Sequence, residues 1–195
     1  MLGFGPVVWE CPWQDYDGQL KVYTDSGWAG CLRSSRSTSG GLAMLGGHPL
    51  KTWSATQSVV AMSSAEAELY SANEGASRGL AMQTLLGELG AVTELQLFLD
   101  SSAAKGFAAT RGIGKMRHLE VKDIWLQGAV FKVRLKMFKV RGDLSQADVM
   151  TKYLDKAAVV RLLALGGVRV DQIVKDDLAE GGGSAPSSRY CTSHV

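Results

Sequence analysis

Apolar and polar residues alternate with a period of two in the first part of the chain. Residues 20–25 alternate and end before a Ser-Gly turn, and residues 38–47 and 50–54 are two further segments of this kind, joined by Gly-Gly-His-Pro at 46–49. Successive side chains of a strand point to opposite faces of a sheet, so the pattern predicts three strands, the last two forming a hairpin.

The period becomes helical in the next segment. Leu69, Ala72 and Ala76 share one helical face within residues 64–89, and Gly90 marks the predicted end. The remaining predicted elements are a strand over 94–100, a short helix capped at 101–102 and ending near 110, a helix over 119–129, a strand over 131–140, and helices over 145–154 and 156–165. Three strands followed by this alternation imply a mixed sheet with helices packed on it.

Length and composition indicate one folded domain with two flanking segments. The chain has 195 residues, enough for one well-buried domain. Residues 1–19 contain Gly and Pro without a clear period, and we interpret them as a lead-in segment or a truncated neighbour. Residues 20–165 carry the periodic pattern. Residues 166–195 form a tail that we expect to be disordered from about residue 175, where Gly, Ser and Pro dominate.

The composition excludes several classes of protein. Hydrophobic residues make up 46% and charged residues 21%, which argues against a wholly disordered chain. No apolar run reaches the roughly 18 residues that span a bilayer, and no basic region precedes an apolar block at the N-terminus. Three cysteines form neither a disulfide framework nor a metal-ligand spacing. We therefore expect no membrane partner and an intracellular setting, cytoplasmic or nuclear.

Charge is distributed unevenly along the chain. Residues 1–110 hold ten acidic against six basic residues, whereas residues 111–170 hold thirteen basic against five acidic. A basic half beside an acidic half suggests a polyanionic partner near a carboxylate cluster. Uneven solvation of exposed faces explains the same charges, and the charges alone do not separate the two interpretations.

Four acidic residues stand at the ends of predicted elements: Asp25, Glu68, Asp100 and Asp148. Such positions lie where an open sheet presents its functional edge. Carboxylates gathered there would repel unless cations neutralised them, and hard oxygen ligands select Mg²⁺ or Mn²⁺. Two such ions about 3.5–4 Å apart can activate a water and stabilise the leaving oxygen of a phosphodiester.

Each acid also has a structural alternative. Asp25 can be a turn residue, Asp100 can cap the following helix, and Asp148 stands three residues after a serine, a capping-box spacing. Glu66 stands three residues after Ser63 and has the same capping spacing. This local role leaves Glu68, on another face of the helix, as the candidate metal ligand.

The basic half supplies candidate contacts to a nucleic acid. Three cations share one face of the predicted strand over 131–140, and two lie in a Gly-rich loop before it; they are Lys132, Arg134, Lys136, Arg111 and Lys115. They can follow a phosphate backbone, although lysines on an edge strand also block aggregation. His118 is a candidate auxiliary residue facing a scissile phosphate, or a structural histidine.

The four acids and His118 lie in blocks that resemble the ribonuclease H domain of copia-type retrotransposon Pol polyproteins. The blocks are YTDSGWAG at 23–30, RSTSG at 36–40, WS at 53–54, VAMSSAEAELY at 60–70, LDSSAA at 99–104, RHLE at 117–120 and QADVMTK at 146–152. Each block alone is weak evidence, but their order is specific. The resemblance covers about residues 20–165.

The resemblance implies a ribonuclease H-like fold, a five-stranded mixed sheet with three antiparallel strands first and helices on both faces. It also implies an endonuclease that cleaves the RNA strand of an RNA–DNA hybrid with two Mg²⁺ (or Mn²⁺) ions. Carried over by position, the metal-binding catalytic acids are Asp25, Glu68, Asp100 and Asp148. A reverse transcriptase or another polyprotein neighbour is the implied protein partner.

Two departures keep rival functions open. The first block reads Asp-Ser-Gly-Trp where the family usually has a second acid in place of Gly27, and residues 121–125 lack a second histidine that the family often carries. A polymerase signature is also absent from this sequence. A catalytically decayed remnant that still binds nucleic acid, or an interaction domain for a polymerase, would share the fold without the cleavage.

Overall fold

The computed structural model describes residues 7–31, 33–110 and 121–170. Within these ranges the elements, in chain order, are β1 (Val7–Trp9), β2 (Gln19–Gly27), β3 (Thr38–Leu45), β4 (His48–Thr56), α1 (Ser64–Glu88), β5 (Glu94–Leu99), α2 (Ser102–Ala109), α3 (Val121–Phe131), β6 (Lys136–Lys139), the 3₁₀ segments η1 (Gly142–Leu144) and η2 (Gln146–Met150), α4 (Lys156–Leu165) and β7 (Val168–Val170).

Five of the strands form one mixed sheet in the order β4-β3-β2-β5-β6. The three antiparallel strands come first: β2 pairs with β3, and β3 with β4 through a two-residue turn in which Gly46 has a φ of +59°. Strand β5 pairs parallel to β2, and β6 parallel to β5. The predicted fold class is therefore confirmed, down to the order of antiparallel and parallel pairs.

Helix α1 covers one face of the sheet. It packs on β2, β3 and β5, and α2 and α3 pack beside it. Buried leucines of the two central strands, among them Leu20, Leu95 and Leu97, meet the apolar face of α1 in a single core. None of the helices in the described ranges is long and apolar enough to cross a membrane.

The opposite face of the sheet receives η2, and α4 packs on η2 and β7. A Cβ built on Gly41 would meet the Trp53 ring, which belongs to the core on the α1 side of the sheet. A Cβ on the neighbouring Gly40 would point to the opposite face, because successive residues of a strand alternate. A Cβ built on Gly40 would lie 2.6 Å from side-chain carbons of Met150 and Thr151. The bare backbone at Gly40 therefore lets the end of η2 lie directly on the sheet beside Asp25, its cross-strand partner.

The predicted strand over 131–140 is wrong in its first half. Helix α3 continues to Phe131, Val133 adopts a φ of +53°, and the strand begins only at Lys136. Leu126 and Ala129 bury at helical spacing in the core, and backbone bonds from Lys132 to Gly128 and from Arg134 to Ala129 close the helix. Burial of the helical face overrides the short alternation that predicted a strand.

The predicted helix over 145–154 is also different. The chain forms the 3₁₀ segment η2 over Gln146–Met150 instead and leaves helical geometry at Thr151, whose hydroxyl donates to Asp25. The helix predicted over 156–165 is present, with Asp155 as its N-cap. A second sheet pairs β1 with β7, joining segments from the two ends of the described chain.

Two glycines of α1 differ in what a side chain would meet, and they give a matched test of helix packing. A Cβ at Gly75 would overlap the Thr24 methyl of β2, whereas nothing lies within 4 Å of the exposed Gly87. We expect Gly75→Ala to lower the free energy of unfolding by about 1–3 kcal/mol because the helix must move off the sheet. Gly87→Ala should raise it by up to about 1 kcal/mol through helix propensity. Urea denaturation followed by circular dichroism measures both, and equal effects would refute the close packing.

Candidate active site

The carboxyl ends of two neighbouring parallel strands bring acidic side chains together. Asp25 lies near the end of β2, Asp100 directly follows β5, and Glu68 lies in the second turn of α1, which packs across both strands. One carboxylate oxygen from each residue lies within 4.8 Å of those of the other two. We call these three residues the acidic triad.

The structural alternatives for these acids are not observed in the described residues. Asp25 lies inside β2 rather than in a turn. The N-cap of α2 is Ser101, whose hydroxyl accepts from the Ala104 amide, so Asp100 is left to the triad. Ser145 makes no side-chain cap bond at η2, so Asp148 takes no part in a capping box there.

Glu68 lies in the most unusual electrostatic environment of the triad. Its Oε1 accepts hydrogen bonds from the Ser26 hydroxyl at 2.8 Å and from the Ser26 amide at 3.3 Å. Burial, followed by the negative charge of Asp25, raises the pKa of Glu68 to about 7, although the Ser26 bonds oppose this shift. The site therefore holds more negative charge than its own donors neutralise.

Asp25 is fully buried and has partners from the end of η2. The Thr151 hydroxyl donates to its Oδ2, and the Lys152 ammonium lies 3.1 Å from its Oδ1. Burial raises the pKa of Asp25, the Thr151 bond lowers it, the nearby charge of Asp148 raises it and the Lys152 ammonium lowers it. The net direction is upward, so burial outweighs the donors.

Asp148 stands beside the triad and is linked to it by a lysine. Its Oδ2 lies 2.9 Å from the Lys152 ammonium, which also contacts Asp25. Its Oδ1 is buried and has no hydrogen-bond partner among the described residues. The structure thus gathers three of the four predicted acids directly, and it connects the fourth to Asp25 through one shared cation.

Glu66 has the capping role that its spacing predicts. Its amide donates to the Ser63 hydroxyl at 3.2 Å, its Oε2 accepts from the Met62 amide at 2.9 Å, and its Oε1 accepts from the Tyr70 hydroxyl. These bonds hold the first turn of α1. The two glutamates of one helix therefore have different surroundings, one in the helix start and one in the acidic triad.

The chemistry of these donors fits a divalent cation. The triad offers closely spaced carboxylate oxygens, which are the hard ligands that Mg²⁺ and Mn²⁺ prefer. A buried carboxylate oxygen without a partner, such as Asp148 Oδ1, is costly unless something binds it. The acidic triad is therefore compatible with a divalent metal site, with Asp148 at its border.

The predicted nucleic-acid contacts do not share a strand face. Lys132 and Arg134 lie in the turn after α3, and Lys136 begins β6, where it forms an ion pair with Glu94 at 2.6 Å. Lys136 pairs with Gln96 near the start of β5, whereas Asp100 follows its end. These cations thus lie toward the other end of the sheet from the triad. Arg111, Lys115 and His118 lie outside the described residues.

Sequence reasoning overlooked several polar residues that surround the acids. Ser26, Thr151 and Lys152 contact the carboxylates, and the Lys139 ammonium hydrogen bonds to Ser102 just after Asp100. A signal was available for one of them, because Asp148 and Lys152 stand at an i, i+4 spacing that favours ion pairs. The others are brought to the site only by the tertiary fold.

Comparison with known proteins finds similar sequences among transposon polyproteins. The chain is 29% identical over 142 residues to the retrovirus-related Pol polyprotein from transposon TNT 1-94 of Nicotiana tabacum, covering 72% of the chain and 11% of that protein. It is 30% identical over 142 residues to that from transposon RE2 of Arabidopsis thaliana, covering 71% and 10%. The chain thus spans about a tenth of the length of these curated relatives. No family model matches it.

Solved structures with a similar backbone include ribonucleases H. LC11-RNase H1 in complex with an RNA/DNA hybrid is 19% identical with a TM-score of 0.48, over 68% of this chain and 94% of that one. The prototype foamy virus protease-reverse transcriptase is 12% identical with a TM-score of 0.46, over 80% and 22%. The chain is thus similar in sequence to a segment of the retrovirus-related Pol polyproteins of plant transposons, and its strand order is the one expected of the fold that its motif blocks imply.

Proposed function

We propose that this domain is a metal-dependent endonuclease that cleaves the RNA strand of RNA–DNA hybrids. The observation that carries the proposal is the acidic triad, because three ionised carboxylates within 4.8 Å of one another at the ends of parallel strands need a cation to be stable. The motif blocks around Asp25, Glu68 and Asp100 support the same activity, and the relatives support a retrotransposon polyprotein as its context.

The acids have distinct duties in this proposal. Asp25, Glu68 and Asp100 would hold the metal, and Asp148 would complete the set for a second ion. Two Mg²⁺ or Mn²⁺ ions, when bound, supply a nucleophilic water and neutralise the charge of the leaving oxygen. Ser26 keeps the Glu68 carboxylate close to those of Asp25 and Asp100 through two hydrogen bonds. Thr151 performs the same positioning for Asp25.

The substrate class follows from charge and from the proposed chemistry. A duplex carries phosphates on both strands, and the basic residues of 111–170 would contact them. Discrimination for the RNA strand would depend on its 2′-hydroxyls near the metals.

Since the relatives are polyproteins, we also propose that a reverse transcriptase or another polyprotein segment is the partner of this domain, in the cytoplasm or nucleus.

Cleavage of a labelled RNA–DNA hybrid by the purified chain tests the function. We expect Mg²⁺-dependent cleavage by the wild type and a loss of at least about a hundredfold in Glu68→Gln, because a metal ligand is lost. Glu66→Gln is the matched control on the same helix, since glutamine also serves in a capping box. It should keep cleavage near the wild-type rate. Binding of the hybrid without Mg²⁺-dependent cleavage would favour the catalytically decayed remnant instead.

The raised pKa of Glu68 predicts how stability depends on pH without metal. The folded protein holds a proton on Glu68 that the unfolded chain has lost between pH 4.5 and about 7, so the free energy of unfolding falls as the pH rises through this window. Glutamine does not ionise, so Glu68→Gln removes this decrease in the free energy of unfolding. We expect the variant to be more stable than the wild type by on the order of 1–3 kcal/mol at about pH 8 in EDTA, with little difference below about pH 4.

Urea denaturation at the two pH values measures this difference. Excess Mg²⁺ should stabilise the wild type more than Glu68→Gln and so narrow the gap at the higher pH. A variant that is less stable than the wild type at both pH values would contradict a charge-repelling environment at Glu68.

Simultaneous neutralisation of the three cations near the start of β6 tests substrate binding. Replacing Lys132, Arg134 and Lys136 by glutamine should weaken binding of hybrid and of DNA duplex alike and reduce the slope of log K against log salt by about 2 to 3. The cleavage rate at saturating hybrid should stay unchanged, because the triad lies at the other end of β5. Fluorescence anisotropy across a salt series measures the slope. An unchanged affinity and slope would show that these cations only solubilise the surface.

A further inference from the structure

One lysine occupies the space between two buried carboxylates at the edge of the acidic triad. The Lys152 ammonium lies 3.1 Å from Asp25 Oδ1 and 2.9 Å from Asp148 Oδ2. Asp25 is 0% and Asp148 8% exposed, whereas the Lys152 side chain is 38% exposed. The cation thus sits at the solvent boundary of the pair, with open water on its other side.

One carboxylate oxygen of the Asp25–Asp148 pair has no partner, neither Lys152 nor any other donor of the described residues. Asp148 Oδ1 is buried without a hydrogen-bond partner among the described residues. Buried carboxylates in purely structural ion pairs normally have their remaining oxygens satisfied by further donors, because an unpartnered buried oxygen is costly. The unpartnered oxygen therefore points to a ligand other than Lys152.

The backbone around Lys152 does not depend on its ammonium group. The Lys152 amide donates to Asp148 O at 2.9 Å, and the Thr151 amide donates to the same carbonyl at 3.1 Å. The Thr151 hydroxyl holds Asp25 independently. The lysine side chain can therefore swing into solvent while the segment and the two carboxylates stay in place.

We propose that Lys152 is an internal counter-ion that neutralises the Asp25–Asp148 pair in the metal-free protein and competes with a divalent cation for these two carboxylates. The proposal rests on the proposed function in one respect, since it takes the pair as part of a metal site. Lys152 is thus a positioning residue: it keeps two buried like charges together until a divalent ion displaces it. The ion can bind only in molecules whose ammonium is out of the site. The apparent affinity for that ion is therefore the intrinsic affinity multiplied by the fraction of time the site is free of the ammonium.

Metal titration of Lys152→Met in the absence of nucleic acid tests this competition. Isothermal calorimetry with Mn²⁺ and Mg²⁺ should show binding about tenfold tighter than in the wild type, as expected if the ammonium occupies the site about nine-tenths of the time. Lys156→Met, which removes an exposed lysine four residues away, is the matched control and should bind like the wild type. Adding Asp148→Asn to Lys152→Met should abolish the gain.

Thermal unfolding gives a second readout. In EDTA, Lys152→Met should unfold at a lower temperature than the wild type, because the two carboxylates lose their shared cation. Saturating Mn²⁺ should raise its unfolding temperature more than that of the wild type. Lys152→Gln, which keeps a hydrogen-bond donor without the charge, replaces the methionine variant if that one does not fold, and the same results are expected of it.

The outcomes separate this proposal from the proposed function. Equal metal affinity in Lys152→Met and the wild type, or a gain that survives Asp148→Asn, overturns the counter-ion role and leaves the nuclease proposal standing. A gain in affinity in a protein that cleaves no hybrid supports the counter-ion role while the nuclease proposal fails. No metal binding by either protein overturns both.

Discussion

The burial of negative charge where β2 and β5 end is the constraint on which this site depends. Asp25 is fully buried, and oxygens of Glu68 and Asp100 lie within 4.8 Å of it and of each other. Desolvation and mutual repulsion both favour the protonated forms, which is why the pKa values of Asp25 and Glu68 are raised. Such an arrangement is stable as an ionised cluster only beside a cation.

Lys152 supplies such a cation. Partial burial alone would lower the pKa of Lys152, yet the hydrogen bonds and charges of Asp148 and Asp25 raise it, so the Lys152 ammonium stays charged.

Small residues on both faces of the sheet make this gathering of charges possible. On one face, Gly75 and Gly79 let α1 approach Thr24 and Leu95 closely, and this approach sets the position of Glu68 about two to three turns earlier in the helix. On the other face, Gly40 lets the end of η2 lie on the sheet, which brings Thr151 to Asp25. Close backbone packing thus determines the distances between the carboxylates, since packed interiors resist even small displacements.

The two glutamates at the start of α1 show how neighbouring residues of one type acquire different duties. Glu66 satisfies a backbone amide at the helix start, and Glu68, about 200° further round the helix, faces Ser26 and the triad. The capping bonds of Glu66 and Ser63 hold the first turn in place and so orient the second. A structural residue therefore supports a functional one through the geometry of the helix that they share.

Much of the fold was predictable from local pattern, because hydrophobic period and turn residues act over a few neighbours. The three antiparallel strands, α1, β5 and α4 follow their sequence patterns closely. The pattern failed over 131–140, where an alternation of apolar and basic residues competed with the helical burial of Leu126 and Ala129, and burial in the core decided the outcome. It failed again at Thr151, where a contact with Asp25 across 126 residues of sequence ends the helical geometry.

The sequence by itself determined which acids stand at element ends and which family they resemble, because strand ends and motif blocks are local features. Only the tertiary structure decided that Asp25, Glu68 and Asp100 form one cluster while Asp148 reaches it through Lys152. The physical reason is that distances between carboxylates are set by how closely α1 and η2 pack on opposite faces of the sheet. The location of Lys136 toward the start of β5, away from the triad, was likewise a matter of strand register, which no local pattern contains.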